Sequence, residues 1–256
     1  MPDLITSPSN PAVTRVRGLL SRRDRREAER AFVAEGARAI GDAIAAGFPP
    51  SLVLLREGTP PPPGLAPDAD IRVLAARLFD GLSDVATPQG LLAVLPMPDL
   101  PDPPGAAPLV LVADRLRDPG NLGALLRAAA GAGATAAALT PGTVDPFNPK
   151  TVRAGMGAHW RIPIRRLPEG APAIGALAPL VVAAAADASL PYDGVDYRGP
   201  AAIVIGSEAH GLSRDAAAAA TVTVAIPLAA EVESLNAAAA GTVILFEAAR
   251  QRRTRS

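Results

Sequence analysis

Cysteine is absent from the 256 residues, so the chain has no disulfide framework, no thiolate metal site and no cysteine nucleophile. Histidine occurs twice, at His159 and His210, too sparsely for a histidine-rich metal centre, and no metal is expected. Lys150 is the one lysine; every other basic residue is arginine. Aromatic residues make up 3% of the chain, which leaves few platforms for stacking on bases. No stretch approaches the roughly 18 apolar residues that a membrane span requires. The N-terminal MPDLITSPSNPAVTRVRGLL is polar and then arginine-rich, unlike a secretory leader, so a cytoplasmic protein is expected.

What is present is a globular composition, 49% hydrophobic and 20% charged, with a core of Ala, Val, Leu and Ile. The length suits one large domain or two small ones. Acidic and basic residues balance at 25 each, but their distribution is uneven, and a polyanion meets the distribution. Arginine pairs bidentately with phosphate and stacks on bases. Arginine, alanine and proline richness fits a GC-biased coding sequence equally well, so composition names no partner.

The clearest seam is LPMPDLPDPPGAAP at 95–108, where proline density favours a stiff extended linker. Three regions follow: a small α/β domain over 1–95, a linker over 96–107 and a larger domain over 108–256. In the first, Val13, Val16, Leu19 and Leu20 at helical spacing predict a helix over 11–30, and a second helix is expected from Gly36 to Ala46. SLVLL (51–55) and LLAVL (91–95) read as strands, with a helical turn at 77–84 between them. Beyond the linker, apolar runs at 108–114, 135–140, 161–164, 180–184, 201–205 and 222–226 alternate with helical segments at 121–133 and 148–160. A last helix is expected to start at Ser234 as N-cap. The alternation predicts a mainly parallel sheet with helices on both faces.

Ligands in such sheets bind beyond the carboxyl ends of strands, so the loops after apolar runs carry the information. In ADRLRDPGNLGALLRAA, Asp118, Pro119 and Gly120 form a turn, Asn121 opens a helix and Arg127 follows. In AAIVIGSEAHGLS, Gly206 and Gly211 bracket Ser207, Glu208, Ala209 and His210, which allows close backbone approach to a ligand. In VAIPLAAEVESLNAAAAG, Ser234, Leu235 and Asn236 precede an alanine-rich helix. Each segment taken singly also fits a turn, a cap or a solvated helix face. GAGAT at 131–135 ends a helix instead of opening one, which argues against a dinucleotide fingerprint.

In combination the segments are more specific. The order N-x-G-x-x-x-R, G-S-E-x-x-G-L, then I-P-L followed by E-S-L-N resembles the three signature motifs of the SpoU/TrmH family of RNA 2′-O-ribose methyltransferases. VDPFNPKTVRAGMGAHWRIPI is similar to that family's stretch between the first two motifs, with Gly155 where the family has a small hydroxyl residue. Residues 1–95 resemble the substrate-binding domain that rRNA-modifying members carry. The resemblance implies a C-terminal segment threaded into a trefoil knot, a homodimer whose active site draws on both subunits, and S-adenosylmethionine as cofactor. It implies that Gly206, Ile226 and Leu235 line the cofactor, and that Asn121, Arg127, Glu208, Ser234 and Asn236 form the catalytic group.

Its substrate would be RNA, with large-subunit ribosomal RNA implied by the N-terminal domain. The alternatives are tRNA methylation and a knotted RNA-binding protein without catalysis. Two basic surfaces are candidate RNA contacts. One spans 15–30, with Arg15, Arg17, Arg22, Arg23, Arg25, Arg26 and Arg30 against Asp24, Glu27 and Glu29; the other is C-terminal, with Arg250, Arg252, Arg253 and Arg255.

Overall fold

The structure, a computed structural model, describes residues 4–85, 87–103, 107–229, 232 and 234–253. Arg255 and part of the linker thus lie outside the described residues. The chain divides into two compact units: Met1–Pro98 with Phe147–Trp160, and Asp99–Pro146 with Arg161–Ser256. The first unit therefore includes a segment that the sequence assigns to the larger domain.

In the first unit, β1 (Leu4–Ile5) precedes α1 (Pro11–Ser21) and α2 (Arg23–Glu29). One helix was expected over 11–30, and the chain instead breaks at Arg22, which is extended at φ −122° and ψ 119°. The break leaves the last carbonyls of α1 without helical donors. Arg26, only 3% exposed, supplies them: its Nη1 donates to Leu19 O at 2.6 Å and to Leu20 O at 3.3 Å. Its assignment to an RNA surface is corrected accordingly.

The unit continues through β2 (Ala31–Glu35), α3 (Ala37–Ala45), β3 (Leu52–Arg56), β4 (Ile71–Leu74), α4 (Ala76–Asp80) and β5 (Leu91–Pro96). They form a mixed sheet ordered β1-β4-β3-β5-β2. Alternation along each strand sends neighbours to opposite faces. Val33, Leu52, Leu54, Leu92 and Val94 face α1 and Phe79; Phe32, Ala34, Val53, Leu55, Leu91 and Leu95 pack with α3, Val152 and Trp160. Trp160 stacks on Phe32 and Phe48, each with ring centroids 5.4 Å apart. Half of the chain's eight aromatic residues, Phe147 included, thus go to seating 147–160.

The second unit opens with β6 (Leu109–Ala113), fully buried, then α5 (Pro119–Ala132) and β7 (Ala136–Leu139). Asp118 caps α5 by accepting from Asn121 N at 2.8 Å, and Gly133 ends it at φ 77°. The excursion into the first unit carries α6 (Pro149–Gly155). The chain returns for β8 (Ile164–Arg166), α7 (Ala171–Gly175), β9 (Leu180–Ala184), β10 (Ala201–Ile205), α8 (Arg214–Ala219), β11 (Val222–Val224) and α9 (Ala237–Arg253). The six strands are ordered β11-β9-β10-β6-β7-β8, and every pairing is parallel. Direction along the sheet reverses between β6 and β10, which places the switch-point crevice at their carboxyl ends. Among the described residues no helix is long and apolar enough to cross a membrane.

Helix α9 packs on α5 and β10 through small residues. A Cβ at Gly241 would lie 2.3 Å from Leu125 Cδ2 and 3.0 Å from Ile205 Cγ1. At the far end Arg252 donates to the carbonyls of Tyr197, Ala107, Pro108 and Gly199. Its guanidinium is committed to backbone, and burial pushes its pKa below the ordinary value. Its assignment to an RNA surface is corrected on that ground.

Candidate active site

A cavity of about 860 Å³ opens where β9, β10 and β11 end, and the loops after those strands wall it together with the start of α9. Its volume suits a nucleoside-sized ligand. Gly206, Ile226 and Leu235, the expected cofactor residues, line it, as do Glu208, Ser234 and Asn236.

The loop after β10 closes on itself. Ser207 N donates to Gly211 O at 3.0 Å, and Gly211 N donates back to Ser207 O at 2.8 Å. A Cβ on Gly206 would stand 2.4 Å from Gly211 O, so the close approach that needs this glycine is to its own loop. Beyond it, Ser213 caps α8 by accepting from Ala216 N at 3.1 Å.

Asn236, not Ser234, caps α9: its Oδ1 accepts from Ala238 N at 2.9 Å and Ala239 N at 3.3 Å. The expectation for Ser234 as cap is corrected by two positions. The cap fixes the Asn236 amide, because an oxygen committed to backbone N–H leaves the nitrogen to donate outward. Nδ2 donates to Asn121 Oδ1 at 3.1 Å, and Asn121 Nδ2 donates to Glu208 Oε1. Side chains from the first turn of α5, the loop after β10 and the N-cap of α9 thus form one chain of hydrogen bonds with a single sense, ending on a carboxylate.

Arg127 stands apart. It is exposed on α5, outside the cavity lining, and has no hydrogen bond or ion pair among the described residues. The structure therefore brings together Asn121, Glu208 and Asn236, with Ser234 in the same wall, and leaves Arg127 outside that group.

Two contributors escape the sequence reading. Asp114, fully buried at the end of β6, accepts from Thr140 Oγ1 at 3.0 Å and Ser213 N at 2.6 Å, tying the loops after β7 and β10 to the switch point. Asp187 lines the cavity from the loop after β9. Its signal was position, since that loop also follows an apolar run.

The lining includes Asp187 and Glu208 but no arginine or lysine. A nucleotide's phosphates would find no cation among these described residues, whereas a cationic ligand would meet two carboxylates. Apolar walls at Ile205, Leu212, Ile226 and Leu235 suit an adenosine and an aliphatic chain. These residues fit S-adenosylmethionine, a sulfonium.

Residues 108–246 match the SpoU rRNA Methylase family, and residues 10–93 match the MRM3-like substrate binding domain. The chain is 32% identical over 308 residues to mouse (Mus musculus) mitochondrial rRNA methyltransferase 3, spanning 96% of this chain and 73% of that protein. It is 30% identical over 217 residues to the 23S rRNA (guanosine(2553)-2'-O)-methyltransferase RlmP of Bacillus subtilis (strain 168), across 84% of this chain and 87% of that one. The crystal structure of the SpoU methyltransferase AviRb from Streptomyces viridochromogenes, in complex with AdoMet, superposes with a TM-score of 0.82 at 28% identity, covering 96% of this chain and 100% of that one. The AdoMet-bound rRNA methyltransferase of Sinorhizobium meliloti gives 0.82 at 30% identity, with 97% of both chains covered. With its motifs in loops at one end of a parallel sheet, the chain belongs to the SpoU rRNA methylase family.

Proposed function

We propose that the protein is an S-adenosylmethionine-dependent methyltransferase acting on a ribose 2′-hydroxyl of large-subunit ribosomal RNA. The observation that carries this reading is the cavity whose described lining holds two carboxylates and no cation, adjoining the hydrogen-bonded Asn236, Asn121 and Glu208. The substrate-binding domain match over 10–93 supports rRNA as the target. S-adenosylmethionine supplies a methyl group activated by its sulfonium. Gly206, Ile226 and Leu235 hold that cofactor, and Glu208 and Asp187 favour its positive charge.

The protein's work is alignment and charge placement. Asn121, held by Asn236, fixes the Glu208 carboxylate at the cavity wall. Arg127 binds the phosphate beside the target ribose and stabilises the developing alkoxide. A guanidinium is protonated at any ordinary pH, so the proton passes to water or to that phosphate. Because Arg127 is exposed and away from the cavity lining, it serves the cavity of a second copy, and the enzyme works as a homodimer. The C-terminal segment threads a trefoil knot, and the protein works in the cytoplasm. Family membership supports the knot.

The test is methyl transfer from labelled S-adenosylmethionine to deproteinised rRNA and, separately, tRNA. Label should enter one large-subunit rRNA nucleotide and be lost in Arg127→Ala, with cofactor affinity kept. Label in tRNA alone, or cofactor binding without transfer to either pool, would overturn the assignment.

A further inference from the structure

Between β6 and α5 the chain alternates in exposure: Asp114 and Leu116 are buried, while Arg115 and Arg117 face solvent. The backbone here is pinned. Asp114 is held by Thr140 and Ser213, Arg115 N donates to Thr140 Oγ1 at 3.0 Å, and Leu116 O accepts from Val144 N at 2.8 Å. Within this frame Arg115 sits at φ 54°, in the left-handed region where a Cβ is strained and glycine is not. A loop required only to turn would be served by glycine; this one holds a long cation there instead.

Neither guanidinium has a partner among the described residues. Two exposed arginines of this unit are neutralised, Arg198 by Asp196 at 2.8 Å and Arg250 by Glu247 at 2.7 Å, whereas Arg127 is not. Arg115 and Arg117 have no ion pair among the described residues, although Glu169 and Asp215 line the same small hollow as Arg115. Four residues after Arg117 comes Asn121, the middle member of the hydrogen-bonded chain.

We propose that Arg115 and Arg117 are phosphate-binding residues that grip the RNA strand flanking the target ribose. The inference rests on the methyltransferase reading above and adds the contact that sets the strand's register. Guanidinium forks suit phosphate oxygens, and backbone phosphates carry no sequence information, so these arginines position the strand without choosing its bases. A rigid, strained presentation limits the ordering that binding must impose.

The experiment compares wild type with Arg115→Gly, Arg117→Gln and the double variant, using a large-subunit rRNA transcript and measuring methyl transfer and RNA binding across a salt series. The double variant should lose about tenfold in kcat/KM, carried by KM for RNA. Its salt dependence should be shallower by about 1.4 in log–log slope for two lost phosphate contacts at about 0.7 each. S-adenosylmethionine affinity by calorimetry should be unchanged. Arg115→Gly should melt at a higher temperature than wild type while binding RNA more weakly, opposite signs that a merely structural role would not produce. An unchanged RNA KM and salt slope, or a loss of cofactor affinity, overturns the inference. If wild type transfers no methyl group, the activity reading fails, and the salt slope still decides whether these arginines hold RNA.

Discussion

At the scale of single residues, the site is built from atoms with one remaining role. The Gly206 Cα hydrogen occupies the only space its loop leaves, since a methyl group there would meet Gly211 O at 2.4 Å. Gly206→Ala should therefore displace the loop and weaken S-adenosylmethionine binding by about 5- to 150-fold, the equivalent of the roughly 1–3 kcal/mol that overpacking costs. Calorimetric titration of the variant checks it; wild-type affinity would show that the loop plays no part in holding the cofactor.

Glu35 is a second residue with a readable cost. Its carboxylate accepts from Ser83 Oγ at 2.7 Å, but burial dominates and raises its pKa, with Ser83 and Arg153 opposing. A carboxylate whose folded-state pKa lies above its unfolded one binds more protons when folded, so stability falls as pH rises through that interval. Glu35→Gln should be more stable than wild type at neutral pH, and the gain should fade as pH drops toward about 4. Urea melts at several pH values would show it; a gain independent of pH would assign the effect to packing.

At the scale of elements, the junction of α9 with α5 and β10 depends on Gly241. Alanine is the better helix former by about 1 kcal/mol, yet Gly241→Ala should destabilise the protein by about 2 kcal/mol, because its methyl must displace Leu125 and Ile205. Denaturant melts decide between these opposed effects, and a stabilised variant would mean the helix can shift without penalty.

Elements differed in how plainly the sequence announced them. Strands buried on both faces, such as LVLVA and AAIVI, were legible as unbroken apolar runs, and so were the loops that follow them. The two-residue β1 and the single buried position of β4 carry too little pattern to read. Strand β2 was masked by the arginine-rich stretch before it. The expected 11–30 helix hid its break because Arg26, which repairs the break, has a side chain that composition assigns to the surface. In the site, the segments that carry Asn121, Glu208 and Asn236 were legible by position, but not the sense of their hydrogen bonds, which depends on the α9 cap falling at Asn236. The separation of Arg127 was equally hidden, since spacing along a helix does not say which cavity it serves.

At the scale of the whole molecule, a formal charge of zero conceals a sorted surface. Around α1 and α2 every carboxylate is already engaged: Arg15 with Glu29 at 2.8 Å, Arg23 with Glu27 at 2.7 Å, and Arg22 with Asp24. With Arg26 buried, the cations without an ion pair among the described residues are Arg17, Arg25 and Arg30. Neutralising these three with glutamine should make RNA binding less salt-dependent by about 2 in log–log slope. The charge-neutral pair Arg15→Gln with Glu29→Gln should leave it unchanged. Filter binding across a salt series compares them, and equal effects would mean the RNA reads net charge rather than these positions.

The first unit's two-part composition has a further consequence, in time. Residues 1–98 leave the ribosome ahead of Phe147–Trp160, which completes their core. At about 5–20 residues per second, the interval before Trp160 is made is roughly 3–12 seconds. Throughout it the surfaces of Phe32 and Phe48 that Trp160 covers stay open. The N-terminal unit of the nascent chain therefore cannot finish folding before strands β6 and β7 of the second unit have been synthesised.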